Sequence, residues 1–214
     1  MHSLAFFADP TTGAPRLVYG CYDGEVCTYD PIAGGEALVV IDVGSKVLAL
    51  AFFVDPATGA LRLACGTGYR NYDVRIHDPV AGGKALLVLE VGSEVNELTV
   101  FDDPATGALR LASGSDDRSV RVWDLASGGT ALFVLKGHTG SVEALTAFVD
   151  PATGETRLVS GSGDKTMRVW DASKGGAALR VAAFDDNVSA LAVRSNMSGL
   201  FVASGKGWGE LRVA

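Results

Sequence analysis

His138, Ser160 and Asp164 are the residue types of a hydrolytic triad. An imidazole can take the proton of a serine hydroxyl while a carboxylate holds the ring in the required tautomer. Asp102-Asp103, Asp116-Asp117 and Asp185-Asp186 are paired carboxylates, and Ser204-Gly-Lys-Gly-Trp-Gly209 has the outline of a phosphate loop. Adjacent aspartates on a turn do not converge on one cation, so solvated turn ends are expected in place of a calcium cage. The glycine loop lacks the Gly-x-x-x-x-Gly-Lys-Ser/Thr spacing and follows an apolar run that reads as a strand. No Cys-x-x-Cys, His-Glu-x-x-His or nucleophile-elbow pattern occurs. A lone His77 makes no metal site without further ligands. The expectation is therefore no catalysis, no metal and no cofactor.

These residues sit in a sequence that repeats itself. Asp-Pro starts at Asp9, Asp55, Asp103 and Asp150, in steps of 46, 48 and 47 residues, and each copy is followed by a near-identical run ending in Arg-Leu. A second series, Tyr29-Asp30, His77-Asp78, Trp123-Asp124 and Trp170-Asp171, keeps steps of 48, 46 and 47. Two landmarks holding one period define a repeat architecture across all 214 residues, with units that are structural and not catalytic.

Within each unit, short β-rich runs alternate with turn residues and helical periodicity is absent. In the fourth unit, 141–149 reads as a strand, and Asp150-Pro-Ala-Thr-Gly154 as a turn in which Pro151 pre-sets φ and Gly154 supplies a positive one. Strands are expected over 157–161, 166–170 and 177–182, joined by turns at 162–165 and 171–176. Four short antiparallel strands cannot bury both faces alone, whereas successive sheets stacked side by side cover one another. Units of this length built only of strands and turns fit a propeller blade better than a solenoid coil.

The bulk numbers agree. Hydrophobic residues make up 48%, charged residues 20%, and 27 glycines fall mostly at recurring turns. A net charge of −7 opposes binding to nucleic acid or an anionic membrane surface and favours neutral or basic partners. No apolar run approaches membrane-spanning length, and the opening residues lack the features of a signal peptide. Cys21, Cys27 and Cys65 form no disulfide framework, which points to a reducing, cytoplasmic setting. The sequons at Asn187 and Asn196 are then incidental.

Gly137-His138, Leu158-Val-Ser-Gly-Ser162, Asp164 and Met167-Arg-Val-Trp-Asp171 in the fourth unit resemble the signature of the WD-repeat (WD40) propeller family. The third unit matches through Leu111-Ala-Ser-Gly-Ser115, Asp117 and Val120-Arg-Val-Trp-Asp124. The resemblance implies an all-β fold, a β-propeller of four-stranded antiparallel blades at about 1–42, 43–90, 91–136 and 137–183, with a partial fifth at 184–214. It also implies that His138, Ser160, Asp164 and Trp170 form a buried structural tetrad, which displaces the hydrolase reading. A buried indole N–H and imidazole each need a partner, and serine and aspartate provide them. The third unit lacks the histidine, the first has Tyr29 for tryptophan, and the second has His77 for tryptophan and Asn71 where aspartate is expected.

Aligned on these landmarks, Met1 falls inside the first strand of the first unit and Ala214 at the tryptophan position of the fifth. With no spare strand to complete a closed ring, the preferred expectation is a portion of a larger ring, with open edges available for self-association. Family resemblance implies a non-catalytic scaffold binding protein or peptide partners on the face lined by the turns between second and third strands and between neighbouring blades. In this chain those turns carry Tyr22, Tyr69, Arg70, Tyr72, Arg118, Lys165 and Trp208, of which 68–73 is the richest. Aromatic and arginine side chains are the usual interface anchors. The alternatives are a regulatory or sensing segment of a larger signalling protein, and a propeller hydrolase.

Overall fold

The structure is a computed structural model. It describes residues 3–196, 199–204 and 207–211, with side chains over 3–192. The expected placements of Met1 and Ala214 lie outside the described residues.

Every described element is a β-strand. The first sheet comprises β1 (Ser3–Ala8), β2 (Pro15–Gly20), β3 (Glu25–Tyr29) and β4 (Val39–Asp42), and the second β5 (Val47–Val54), β6 (Leu61–Thr67), β7 (Asp73–His77) and β8 (Leu87–Glu90). The third contains β9 (Val95–Asp102), β10 (Leu109–Ser115), β11 (Ser119–Asp124) and β12 (Phe133–Lys136). The fourth contains β13 (Val142–Val149), β14 (Thr156–Ser162), β15 (Thr166–Asp171) and β16 (Arg180–Ala183). A three-stranded sheet of β17 (Ala192–Asn196), β18 (Gly199–Ser204) and β19 (Gly207–Leu211) completes the series. Each four-stranded sheet is a meander in chain order. The fold is thus all-β, with four complete propeller blades and a three-stranded fifth.

The Asp-Pro turns form as their chemistry dictates. Asp9, Asp55, Asp103 and Asp150 each accept a backbone N–H two residues on through Oδ1. Gly13, Gly59, Gly107 and Gly154 close the turns at φ of 68–73°, a region glycine enters without a steric cost. One expected strand is shorter than the sequence suggests. The chain bends at 177 and 179, Leu179 still bonds Val169, and only Arg180–Ala183 joins the ladder, as an exposed outer strand.

The chain forms two compact units, Met1–Leu98 with Leu125–Thr130, and Thr99–Asp124 with Ala131–Ala214. In the first, Val18, Val26 and Ile41 of the first blade pack with Val47, Leu50, Phe52, Leu63 and Cys65 of the second. In the other, Phe101, Val120, Val122 and Leu135 of the third blade pack with Leu145, Leu158 and Trp170 of the fourth.

A small device recurs at these joints. A Cβ on Gly20, Gly66, Gly114 or Gly161 would lie 2.5–2.7 Å from a methyl of Val47, Val95, Val142 or Val188 respectively. Each of these glycines sits at or near the end of a second strand, and each valine stands at or just before the following blade. The valine fills the notch that the missing side chain leaves.

Candidate functional site

The fourth blade brings all four tetrad residues together. β14 and β15 pair in a register that sets Leu158 opposite Trp170 and Ser160 opposite Arg168, and Trp170 donates its indole N–H to Ser160 Oγ at 2.8 Å. His138 Nε2 lies 2.7 Å from Ser160 Oγ, and its Nδ1 lies 3.0 Å from Asp164 Oδ2. The consistent proton assignment has Nδ1–H donating to the carboxylate and Nε2 accepting from the serine hydroxyl. Asp164 also accepts from the Thr139 N–H at 2.8 Å and from the Thr166 hydroxyl at 2.6 Å. Burial pushes the Asp164 carboxyl up, but the bonds from Thr166, Thr139 and His138 outweigh it and hold the group below the usual carboxylate range. Burial is the main reason the His138 ring is held below its usual value.

This is the connectivity of a serine hydrolase, and its surroundings forbid that chemistry. Ser160 is 0% exposed, and its oxygen already accepts the indole N–H. A nucleophile needs a free path to a carbonyl and donors for the developing oxyanion. Here the serine is the centre of a closed network that ties the second and third strands to the segment entering the blade.

The other blades vary this theme. In the third, Ser113 and Trp123 occupy the matching register, yet Ser113 Oγ and Trp123 Nε1 are buried with no partner among the described residues. Asp117 there bonds the Ser119 hydroxyl at 2.7 Å and Arg121 at 2.6 Å. In the first, a phenol pair replaces serine and tryptophan: Tyr19 and Tyr29 stack with centroids 5.4 Å apart and their hydroxyls 3.1 Å apart.

The second blade departs in a way sequence reasoning missed. Asn71 does not stand in for the aspartate. Asp73, on β7 itself, is 3% exposed and accepts from the Thr67 hydroxyl at 2.7 Å and from Arg75 Nε at 3.1 Å. His77 is buried in the slot that tryptophan fills elsewhere, with Nδ1 3.2 Å from the Gly83 carbonyl. Burial, first, holds that ring below its ordinary value. It is therefore a neutral core residue and not a presented ligand.

Of the paired carboxylates, Asp102, Asp116, Asp117, Asp185 and Asp186 are exposed as expected, and Asp103 is the exception. Asp103 is 5% exposed, bonded by the Thr106 and Ser173 hydroxyls at 2.9 and 3.0 Å, and Asp117 is held as above. In each of the four-stranded blades the arginine at the second position of the second strand joins two acidic groups. Arg16 reaches Asp9 and Asp30 at 3.3 and 3.1 Å, and Arg62 reaches Asp55 and Asp78 at 4.0 and 3.3 Å. Arg110 reaches Asp103 and Asp124 at 3.7 and 2.6 Å, and Arg157 holds Asp171 at 3.1 Å with Glu155 as its other partner. A planar guanidinium suits this two-sided task. No group of three or more His, Cys, Asp or Glu is placed to hold a metal among the described residues.

The candidate partner-binding residues lie on hairpin turns. Tyr22, Tyr69, Arg70, Tyr72, Arg118 and Lys165 are all exposed; the side chain of Trp208, on β19, lies outside the described residues. Tyr69, Tyr72, Arg118 and Lys165 are the non-glycine residues with positive φ among those described. At Tyr72, Arg118 and Lys165 this conformation belongs to the turn itself, since Gly24 takes it at φ 100° in the first blade. Tyr69, at φ 68°, has no counterpart. It sits in a five-residue turn, 68–72, where the third and fourth blades have three residues, 116–118 and 163–165.

That longer turn is pinned from several sides. The Tyr69 N–H donates to Glu94 Oε1 at 3.1 Å, the Arg70 N–H to Gly68 O at 2.8 Å, and the Ser45 hydroxyl to Gly68 O. Gly92 bonds the Tyr72 carbonyl at 2.9 Å. Glu94 also pairs with Lys46 at 3.7 Å, and Lys46 lies over the Tyr22 ring at 4.7 Å. Tyr22, Lys46, Glu94 and Tyr69 thus form one continuous surface. Arg118 and Lys165 belong to the other compact unit.

The meandering four-stranded sheets and the buried His–Ser–Asp–Trp network define a propeller of repeated structural blades. The WD domain, G-beta repeat family model matches residues 88–124 and 129–171, which supports a WD-repeat family assignment. It is similar to the crystal structure of the computationally designed Ika8 protein, at 27% sequence identity and a TM-score of 0.67 over 90% of this chain and 53% of that one. The chain therefore spans about half the length of that designed chain. No curated protein matches it in sequence. No described helix is long and apolar enough to cross a membrane.

Proposed function

We propose that the chain is a non-catalytic scaffold that docks peptide or protein partners on the turns of its first two blades, with Tyr69, Arg70 and Tyr72 as anchors and Tyr22 extending the surface. The observation that carries this reading is Tyr69. Its backbone is held in a left-handed conformation that costs a non-glycine residue free energy, on a turn two residues longer than those of the third and fourth blades, and the residue is 70% exposed. Strain that puts an aromatic ring into solvent stabilises nothing in the isolated fold, and a pre-ordered aromatic loses little entropy on binding. WD repeats in general mediate protein–protein contacts, and the net charge of −7 favours neutral or basic partners over nucleic acid. Three free cysteines, two of them buried, suit a reducing, cytoplasmic compartment.

The test is selection of binders from a displayed random-peptide library, followed by titration against variants. Peptides selected on the intact chain should lose at least tenfold in affinity for a variant with Tyr69, Arg70 and Tyr72 all changed to alanine. They should keep their affinity for Arg118→Ala and Lys165→Ala. Binding unchanged in the triple variant, with its circular dichroism spectrum intact, would remove this turn as the docking site.

A further inference from the structure

Three arginines stand at one position of successive third strands, and one of them has no acid. Arg75, Arg121 and Arg168 lie opposite Cys65, Ser113 and Ser160, on β7, β11 and β15. Arg75 donates from Nε to Asp73 at 3.1 Å and from Nη1 to the Val43 carbonyl at 2.9 Å. Arg121 donates to Asp117 Oδ2 at 2.6 Å and to the Ser119 hydroxyl at 2.7 Å. In the fourth blade the carboxylate matching Asp117 is Asp164, and His138 has taken it. The ring and the Thr139 N–H occupy its Oδ2, while the Thr166 hydroxyl and N–H occupy Oδ1. Arg168 makes no hydrogen bond or ion pair among the described residues, and its Nε is buried without a partner. A buried donor on a charged group costs free energy until an acceptor reaches that group.

We infer that Arg168, supported by Lys136 at the end of β12, is a binding site for a carboxylate group. Arg168 is half-buried and shares its face of β15 with Trp170, which packs with the third blade. Its Nη1 lies against Gly137, where a Cβ would stand 2.8 Å from that nitrogen. Gly137 is itself exposed, so the guanidinium can be approached from solvent. The outer strands of the first and second blades end in Asp42 and Glu90, whereas that of the third ends in Lys136, immediately before Gly137. A cation thus replaces an acid in the one blade whose arginine is unpaired, a local reversal in a chain of net charge −7. The molecule also selects the ligand. Each equivalent of Arg168 is held by a carboxylate, the planar group that a guanidinium matches. The site belongs to a different compact unit from Tyr69, so this inference goes beyond the turn-face reading and does not depend on it.

The experiment is a titration of the 214-residue chain with acetate, exchanged for chloride at constant ionic strength and followed by NMR. The Arg168 Nε–H and the Gly137 amide should shift together and saturate. Arg168→Gln should abolish the response at Gly137. Lys136→Glu alters an exposed residue at a strand end and should weaken binding at least tenfold. Should Arg168→Gln fail to fold, Arg168→Lys provides the readout, because it keeps the charge and loses the planar fork. A blocked peptide, N-acetyl-Ala-Glu-Ala-amide, separates the two sources of the group. Tighter binding than acetate identifies a glutamate side chain of a partner, and equal binding identifies a small free carboxylate. The absence of a saturable shift, an unchanged Gly137 response in Arg168→Gln, equal binding of the matching glutamine peptide, or a preference for inorganic phosphate would each overturn the inference.

Discussion

Trp170 donates its indole N–H to Ser160 Oγ at 2.8 Å, while Trp123, in the same register one blade earlier, leaves its N–H and the facing Ser113 hydroxyl without a partner among the described residues. The two positions read identically in sequence. What differs is the imidazole, which in the fourth blade orients the serine so that its oxygen faces the indole.

That contrast predicts unequal costs for one substitution. Ser160→Ala leaves the Trp170 N–H and His138 Nε2 unsatisfied and should destabilise the chain by about 2–3 kcal/mol, at the upper end for a buried orphaned group. Ser113→Ala removes a hydroxyl that has no partner and should cost less than about 0.5 kcal/mol, or stabilise. Urea unfolding of the two variants measures the difference directly. Equal costs would show that the third-blade serine has a partner in solution.

The glycine notch predicts a coupled pair. Alanine at Gly114 would set its Cβ 2.6 Å from the Val142 Cγ1, and overpacking of this kind costs about 1–3 kcal/mol. In a Val142→Ala background the same change should cost well under half as much. A double-mutant cycle on unfolding midpoints reads the coupling; an equal penalty in both backgrounds would mean that the valine does not fill the notch.

The histidines predict a pH dependence with a definite sign. Burial holds His77 and His138 below their ordinary value, so the unfolded chain takes up protons that the folded chain refuses. Their contribution to stability is complete above about pH 6.5, the unfolded value, and is lost as pH falls from there through the lowered folded values. Asp117 and Asp164 are held low, so their contribution is present above about pH 4 and is lost only below it. Unfolding midpoints from pH 8 to 3 should therefore fall in two stages, and His77→Phe should flatten the upper one. A midpoint constant down to pH 5 would contradict neutral buried rings.

Much of this architecture is legible in the sequence because its determinants are local. Asp150-Pro-Ala-Thr-Gly154 encodes its own turn, and the Trp-Asp landmarks fix where each third strand ends. The tetrad was legible for the same reason, since each of its members occupies a recurrent offset within one unit. Residues that meet only through strand pairing were not. Arg62 finds Asp55 and Asp78 because two turns come together at one end of the sheet. The notch at Gly114 is filled by a valine 28 positions on, and nothing near the glycine announces it. In the second blade, two extra residues in the turn moved the expected acidic position onto Asn71 and hid Asp73, whose burial follows from the strand and not from the motif.

The valine and glycine of each joint have a consequence for how such a chain changes in length. The second, third and fourth blades each begin at a valine and carry a notch at or near the end of the second strand, so both halves of the joint travel with each of these repeats. Duplication of one unit within the gene would deliver an insert whose two boundaries already fit their neighbours, and deletion of one would leave a junction of the same kind. The number of blades can thus drift in evolution without any new surface having to be invented.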